Sequence, residues 1–228
     1  MPVIKPNSQA IAPARRTFIE DARRRQIVQA AIEVIAEEGY ASASLERIAQ
    51  RVGISRGLIS YHFSGREDLI HAVMATVFTE GAAYMRARVE GAETAAGTLE
   101  TVLRSNLEFM RDHRAEMIAV TEIASAGGRG ELRSAREGIA QGIAALEAIL
   151  RAGQASGAFR AFDPHVMAVA IRNVIDGVPR RMAVEPDIDI DGTIREIVTL
   201  FALATSSDVA SMPGGRGKPE PSGAAQQG

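Results

Sequence analysis

The stretch from Leu45 to Leu69 holds polar and basic side chains at spacings that suit hydrogen bonding to DNA. Apolar residues at helical spacing lead to a break at Gly53, and Ser55 can cap a second short helix from Arg56 to Phe63. Two short helices joined by a tight turn are typical of a helix-turn-helix, whose second helix enters the major groove. The pattern therefore predicts a DNA-binding unit near residues 45–63.

The two faces of the second helix predict which side chains meet DNA. Ile59 and Phe63 lie four residues apart, so they share a face that should pack on the first helix of the pair. The opposite face and its flanks carry Arg56, Gly57, Leu58, Ser60 and Tyr61. A protein gains little by exposing a leucine and a tyrosine on one short helix, so a binding partner explains that face better.

These residue types divide into base-reading and phosphate-binding groups. Arg56 can donate two hydrogen bonds to guanine O6 and N7, and Leu58 can contact a thymine methyl group. Gly57 leaves room where the helix comes closest to DNA. The side chains suited to phosphate oxygens are Ser44, Ser55, Tyr61, His62 and Arg66.

Each of these residues also has a purely structural interpretation. Residues 45–63 could be two core helices with a polar outer face, and Ser44 and Ser55 cap helices whether or not DNA is present. His62 could lie at the edge of the core and bond a backbone carbonyl. The three consecutive arginines at 23–25 could form a solvated face or attract DNA.

The elements on either side of this pair are also predicted to be helices. Apolar residues recur at helical spacing within a first helix from about Ile19 to Glu38, which Gly39 should end. Ser64 and Glu67 have the spacing of a capping box, which should open a fourth helix that extends to about Val89.

The remainder of the chain predicts five more helices. Their apolar stripes centre on residues 99–110, 117–124, 139–150, 164–183 and 194–201. The helix at 164–183 is apolar on most sides, so several neighbours should bury it, and Pro179 should kink or weaken it. Asp189 or Asp191 can cap the last helix. No segment has the pattern of a strand, which predicts an all-α protein.

Composition and charge divide the chain into four segments. A Pro- and Ala-rich flexible arm (1–18) precedes a three-helix DNA-binding domain (19–66) and a larger helical domain (67–206). The tail (207–228), rich in Gly, Pro and Ser, is predicted to be disordered. Residues 1–66 carry a net charge of +4 and residues 67–228 a net charge of −6. This asymmetry is expected if the N-terminal part meets phosphate.

Composition also excludes several protein classes. The 228 residues contain no Cys, which rules out disulfide frameworks and thiolate metal sites and favours a reducing compartment. Apolar runs are far shorter than the roughly 20 residues of a membrane span, and no signal-peptide pattern opens the chain, so we expect a cytoplasmic protein. The four His residues lack metal-ligand spacing and no catalytic set occurs, so neither an enzyme nor a cofactor is expected.

The stretch from Ile19 to Leu69 resembles the N-terminal domain of the tetracycline-repressor (TetR) family. The resemblance lies in Gly39, Tyr40, Ser44, Ile48, Ala49, Val52, Gly53, Ile54, Ser55, Gly57, Tyr61, His62, Phe63 and Leu69. Two positions depart from the family pattern, because Ser60 stands where the family often has a Tyr and Arg66 stands where it has a Lys. The resemblance implies a three-helix DNA-binding domain followed by a variable helical domain that binds a small ligand and dimerises.

From this resemblance we expect a transcriptional regulator, most often a repressor, that a small-molecule effector releases from a palindromic operator. Two chains should form a homodimer through the helices at about 164–183 and 192–205. The side chains that could line the effector cavity are Phe109, Met110, Met117 and Met167, although residues at such helical spacing more often form ordinary core. Arg172 and Asp176 could be an ion pair at the dimer interface or a polar anchor in that cavity.

Two alternatives stay open on the sequence. A DNA-binding regulator or architectural protein without a ligand would have the same N-terminal domain and a packed second domain. An all-helical enzyme or interaction module with an incidental helix-turn-helix would fail to bind DNA even at low salt.

Overall fold

Helices account for nearly all of the described chain. The structure, a computed structural model, describes residues 13–126, 129–185 and 187–207, and the side chains of residues 18–126, 138–185 and 187–207. The helices are α1 (Pro13–Glu38), α2 (Leu45–Val52), α3 (Arg56–His62), α4 (Arg66–Val89), α5 (Ala95–Asp112), α6 (Arg114–Ala126), α7 (Arg129–Ala155), α8 (Pro164–Val184) and α9 (Ile190–Thr205). The all-α prediction is confirmed. Within the described ranges, no helix is both long and apolar enough to cross a lipid bilayer.

One apolar core joins α1, α2 and α3. Its buried members include Ile27, Ala31, Val34, Ile35, Ile48, Ile59 and Phe63. Burying each of the larger side chains contributes about 1.5–3 kcal/mol, so this small domain holds α3 firmly against α1. Gly39 ends α1 as predicted, because its φ of +83° lies in the left-handed region and its N–H bonds the Ile35 carbonyl at 3.0 Å.

Two predicted helix starts are wrong. α1 begins at Pro13 rather than near Ile19, so residues 13–18 of the predicted arm are helical, while residues 1–12 lie outside the described part. A proline is tolerated in a first turn because its missing N–H has no intrahelical partner there. The capping box is shifted by one residue. Gly65 precedes α4, and the Asp68 carboxylate, not Glu67, accepts the Ser64 N–H at 2.9 Å.

The helices from α4 onward bury one apolar stripe each. Their buried members include Leu69, Val73, Leu99, Leu103, Leu107, Ile123, Leu150, Ile171, Ile175, Ile194, Val198 and Phe201. α8 continues through Pro179 to Val184, because Pro179 is itself buried and Val178 and Met182 pack into the core on either side of it. Asp189 caps α9, its carboxylate accepting the Gly192 N–H at 2.8 Å. The predicted tail lies outside the described residues beyond Ser207.

α6 contacts both α8 and the turn that leads from α1 into α2. At its start, the Arg114 guanidinium donates a hydrogen bond to the Met182 carbonyl near the end of α8. Along its length it packs on α1. Near its end, the Glu122 carboxylate lies 3.5 Å from the Tyr40 backbone nitrogen, which donates to it. The turn that leads from α1 into α2 therefore contacts α6 directly.

α8 and α9 each leave apolar side chains exposed. Val166 and Val174 of α8, eight residues apart, share one helical face. Leu200 and Leu203 of α9, three residues apart, are 55% and 60% exposed. A cleft lies between α8 and α9 and is lined by residues of both helices. We refer to the side chains of Val166, Val174, Leu200 and Leu203 as the α8–α9 face.

Candidate DNA-binding surface

Two serine caps and one glycine fix the geometry of the helix pair. Ser44 Oγ accepts the Arg47 N–H at 3.1 Å at the start of α2, and Ser55 Oγ accepts the Leu58 N–H at 3.3 Å at the start of α3. Gly53 ends α2 with φ +72°, a left-handed conformation that lets the chain turn directly into α3. The predicted helix-turn-helix is thus present with its predicted caps.

α3 exposes most of the side chains that the helical spacing predicts to face DNA. Ile59 and Phe63 are buried against α1 and α2, as predicted. The exposed residues of α3 are Arg56, Gly57, Ser60 and Tyr61, and Tyr61 is 70% exposed. Leu58 differs from the prediction, because it is half-buried. Part of the Leu58 side chain remains exposed for contact with a base.

Arg56 is the basic residue best placed for base contact. It is the first residue of α3, it is exposed, and none of the described residues pairs with its guanidinium by a hydrogen bond or ion pair. Tyr61, near the other end of α3, donates a hydrogen bond to the Glu20 carboxylate at 3.4 Å. That bond steadies the phenol at the surface without burying it.

Arg66, which is predicted to contact phosphate, bonds to backbone carbonyls of its own domain in the structure. Its Nε donates to the Ala43 carbonyl at 2.9 Å, its Nη2 donates to the Tyr40 carbonyl at 2.5 Å, and its guanidinium stacks 4.1 Å from the centre of the Tyr40 ring. The side chain is half-buried. The predicted phosphate contact is not supported by this geometry, because the guanidinium is directed toward the turn before α2.

Arg24 makes a matching contact at the other end of the helix pair. Its Nη1 donates to the His62 carbonyl at 2.6 Å, and its guanidinium lies 4.1 Å from the centre of the Phe63 ring. Of the three consecutive arginines, Arg25 is exposed and Arg23 bonds Gln26 on its own helix. Arg24 thus makes a contact within the domain, and the exposed Arg25 is compatible with either a solvated face or attraction to DNA. The His62 ring is half-buried and packs edge-on against Tyr61.

The two arginines of α2 are paired with acidic residues of α1. Arg47 binds Glu38 through two nitrogens at 2.8–3.0 Å, and Arg51 binds Glu37 at 2.5 Å. The hydrogen bond from Arg47 holds the pKa of Glu38 below its ordinary value, and that from Arg51 does the same for the pKa of Glu37. The sequence interpretation missed this network, although two arginines four apart on α2 following a Glu-Glu pair at the end of α1 are its signal.

The residues predicted for an effector cavity lie in several environments. Phe109, Met110 and Met117 are buried in the core, and Phe109 stacks on His113 with 4.2 Å between ring centres. Met167 is half-buried at the edge of that core. None of the predicted residues lines the cleft between α1 and α4 or the cleft between α8 and α9.

The Arg172–Asp176 pair is an ion pair within one chain. Its shortest N–O distance is 2.5 Å, and both side chains are partly buried. Arg172 faces α7, since a Cβ atom added to Gly142 would lie 3.4 Å from Arg172 Nη1. Of the two interpretations, this direction favours the polar anchor inside the domain over an ion pair at the dimer interface.

We expect Gly57→Ala to raise thermal stability and to weaken binding to specific DNA. The residue lies in α3, where alanine is favoured over glycine by up to about 1 kcal/mol, and a new Cβ would meet only Ser55 Oγ, at 3.8 Å. The added methyl group would stand on the exposed surface of α3 that is predicted to face DNA. Thermal unfolding and DNA titration measure the two effects.

Gly53→Ala is the matched control for this substitution. Its φ of +72° makes a side chain cost about 1–2 kcal/mol, so we expect lower stability there. Undiminished DNA binding by a stabilised Gly57→Ala protein would show that α3 does not approach DNA at this residue.

The comparisons with known proteins point to one family for the N-terminal domain. Residues 27–73 match the family described as "Bacterial regulatory proteins, tetR family". The HTH-type transcriptional regulator BetI 1 of Chromohalobacter salexigens is 36% identical over 87 residues. That alignment covers 38% of this chain and 43% of the relative, so this chain spans less than half of the relative's length.

Similarity over a longer range is weaker in sequence but extends through the second domain. The fatty acid metabolism regulator protein of Bacillus subtilis is 27% identical over 180 residues, which cover 78% of this chain and 82% of the relative. A solved transcriptional regulator of Saccharomonospora viridis in complex with choline is 19% identical, with a TM-score of 0.72 over 82% of this chain and 99% of that one. The last similarity shows a shared fold.

Proposed function

Since residues 27–73 match the tetR family of bacterial regulatory proteins, we propose that this chain is a cytoplasmic, sequence-specific transcriptional regulator of that family, most simply a repressor. The observation that carries the proposal is the outer surface of α3. It presents Arg56, Ser60 and Tyr61 to solvent beside a half-buried Leu58, while Ile59 on the opposite side of the helix is buried in the domain.

The proposed contacts follow from exposure and chemistry. Arg56 donates to guanine O6 and N7, and the free side of Leu58 meets a thymine methyl group. Ser60 lies on the same exposed surface and can bond either a base edge or a phosphate. The proposed phosphate contacts are Ser44, Ser55, Tyr61 and His62, of which the two serines stand at helix N-termini that already favour anions.

We further propose that the chain acts as a homodimer through α8 and α9. The exposed apolar side chains of the α8–α9 face support this pairing, because they cost least when a second copy covers them. A two-fold axis through this face would form a four-helix interface and would place two copies of α3 about 34–36 Å apart, or a multiple of that spacing. The operator would then be a palindrome.

We include a small-molecule effector in the proposal, although one observation supports a regulator without a ligand. The chain shares its fold with a regulator that was solved in complex with choline, which supports a small-molecule ligand for this chain. The burial of Phe109, Met110 and Met117 favours the alternative, a regulator without a ligand, because these three side chains are packed in core. An effector acts only through unequal affinity for the DNA-competent and DNA-incompetent states.

The experiment that tests the proposal is selection from random DNA duplexes by the purified protein near physiological salt, followed by sequencing. We expect an enriched palindrome with half-sites one helical turn or a multiple apart. Salt-sensitive binding with no enriched sequence would contradict a sequence-specific regulator and favour an architectural role, and no binding at low salt would favour a role away from DNA. The selected operator then serves in a screen for compounds that release the protein.

A further inference from the structure

Two arginines contact the backbone at the two ends of the helix-turn-helix. Arg66 bonds the carbonyls of Tyr40 and Ala43 just before α2, and Arg24 bonds the carbonyl of His62, the last residue of α3. Both guanidinium groups also lie 4.1 Å from the centre of an aromatic ring. We refer to Arg24 and Arg66 as the arginine pair.

The contact at the first end fixes where α2 begins. Ala43 is fully buried and its carbonyl accepts the Arg66 Nε hydrogen bond, while the next residue, Ser44, caps α2. The planar guanidinium serves two carbonyls and one ring face at once, which an ammonium group cannot do in the same geometry. Arg66 thereby sets the position of the Ser44 hydroxyl and of the α2 N-terminus.

The contact at the second end fixes where α3 ends. The last carbonyls of a helix lack intrahelical donors, and Arg24 supplies one to His62 from the neighbouring α1. The same side chain covers the ring of Phe63, which is the residue that anchors α3 in the core. Arg24 thereby ties the exit of α3 to α1.

Base reading and phosphate binding respond differently to the position of these helices. Hydrogen bonds to base edges need the side chain placed within a fraction of an ångström, whereas attraction to phosphates is long-ranged and tolerates displacement. A residue that only positions α2 and α3 should therefore affect the specific complex far more than the non-specific one.

On the basis of the proposed function, we propose that the arginine pair are positioning residues that set the ratio of specific to non-specific DNA binding without contacting DNA. Arg24 and Arg66 hold the two ends of the helix pair, and Arg56 and its neighbours on α3 carry out the reading. This reassigns Arg66 from a phosphate contact to a structural contact within the domain.

The test uses Arg24→Lys and Arg66→Lys, which keep the charge and lose the planar fork. We expect each to lower affinity for the selected operator about tenfold, the size of one weakened base contact, with non-specific affinity unchanged. The dependence of binding on salt should keep its slope. Arg25→Lys, at an exposed residue of the same arginine run, is the matched control and should leave both affinities unchanged. An equal fall in specific and non-specific affinity for the arginine-pair variants would overturn the proposal.

The substitution Arg66→Gln separates the two roles by charge. A lost phosphate contact lowers the slope of log affinity against log salt by about one, whereas a lost positioning contact leaves the slope as it was. A slope lowered by about one would return Arg66 to the phosphate-binding group and refute its positioning role.

A second measurement needs no DNA and so separates this proposal from the proposed function. Amide hydrogen exchange on the free, folded protein should accelerate near residues 40–48 in Arg66→Lys and near residues 59–64 in Arg24→Lys, with the rest of the domain unchanged. Exchange unchanged at both ends would overturn the positioning role, even if the operator is found. A chain that selects no operator but shows the two local accelerations would contradict the proposed function alone.

Discussion

Replacing Arg56 with alanine is expected to lower affinity for the operator about 10- to 100-fold and to reduce non-specific binding much less. A bidentate contact to guanine contributes about 1–3 kcal/mol of discrimination between bases. Arg56 is exposed at the start of α3, and its guanidinium has no partner among the described residues. The loss should be confined to one base position in each half-site, so that repeating the selection with the variant gives a relaxed preference there.

The appropriate control is Arg104→Ala on α5, where the arginine pairs only with Glu100 on its own helix. Its operator affinity should equal that of the unchanged protein. Leu58→Ala is a second variant on the reading helix, but Leu58 is half-buried, so its unfolding must be measured alongside its binding. Equal losses of specific and non-specific affinity in Arg56→Ala would remove this residue from the base-reading group.

The double substitution Leu200→Asp with Leu203→Asp is expected to give a folded monomer that has lost operator binding by about 100-fold or more. Both side chains are exposed in the single chain, so aspartate costs little there, whereas two carboxylates from each chain would meet in the proposed interface without partners. The loss in DNA affinity arises because a dimer gains about 10²–10⁴ in avidity from its second reading helix.

Light scattering, circular dichroism and DNA titration together measure this effect. Helical content should be unchanged while the mass falls by half. Ile139→Asp, at an exposed apolar residue of α7 outside the α8–α9 face, should stay dimeric and bind DNA normally. A double variant that remains dimeric with unchanged operator binding would place the interface elsewhere on the molecule.

Local features of this fold could be predicted from the sequence, because local rules govern them. Ser44 and Ser55 cap their helices through residues three positions ahead, and Ile59 and Phe63 share a buried face through four-residue spacing. The left-handed Gly53 between the two helices follows from the same kind of rule.

Features that depend on distant residues could not be predicted in this way. Arg66 contacts carbonyls 26 and 23 residues earlier in the chain, and Arg24 contacts one 38 residues later, distances at which no periodicity operates. The charge of Arg66 and the family's Lys at this position therefore predict a phosphate contact, and the sequence contains no signal for the bonds to these carbonyls. The start of α1 was placed too late because a Pro- and Ala-rich stretch lacks an apolar stripe, although helix propensity alone can extend a helix that is already formed.

Whether the second domain holds an effector cavity is the feature that the sequence predicts least, for a different reason. Methionine and phenylalanine at helical spacing fill a core or line a cavity with the same pattern, and only the distance between neighbouring helices decides which. In this chain Phe109, Met110 and Met117 are core, while the Arg172–Asp176 pair faces α7 as a charged group within an apolar domain.

As the proposed dimer interface, the exposed α8–α9 face relates the number of chains in a cell to the occupancy of the operator. Where most chains are single, the concentration of pairs rises with the square of the number of chains. Operator occupancy then changes more steeply than protein abundance, so that halving gene dosage would cut occupancy by more than half. In the proposed homodimer, the apolar side chains of α8 and α9 would therefore make operator occupancy fall faster than the number of chains.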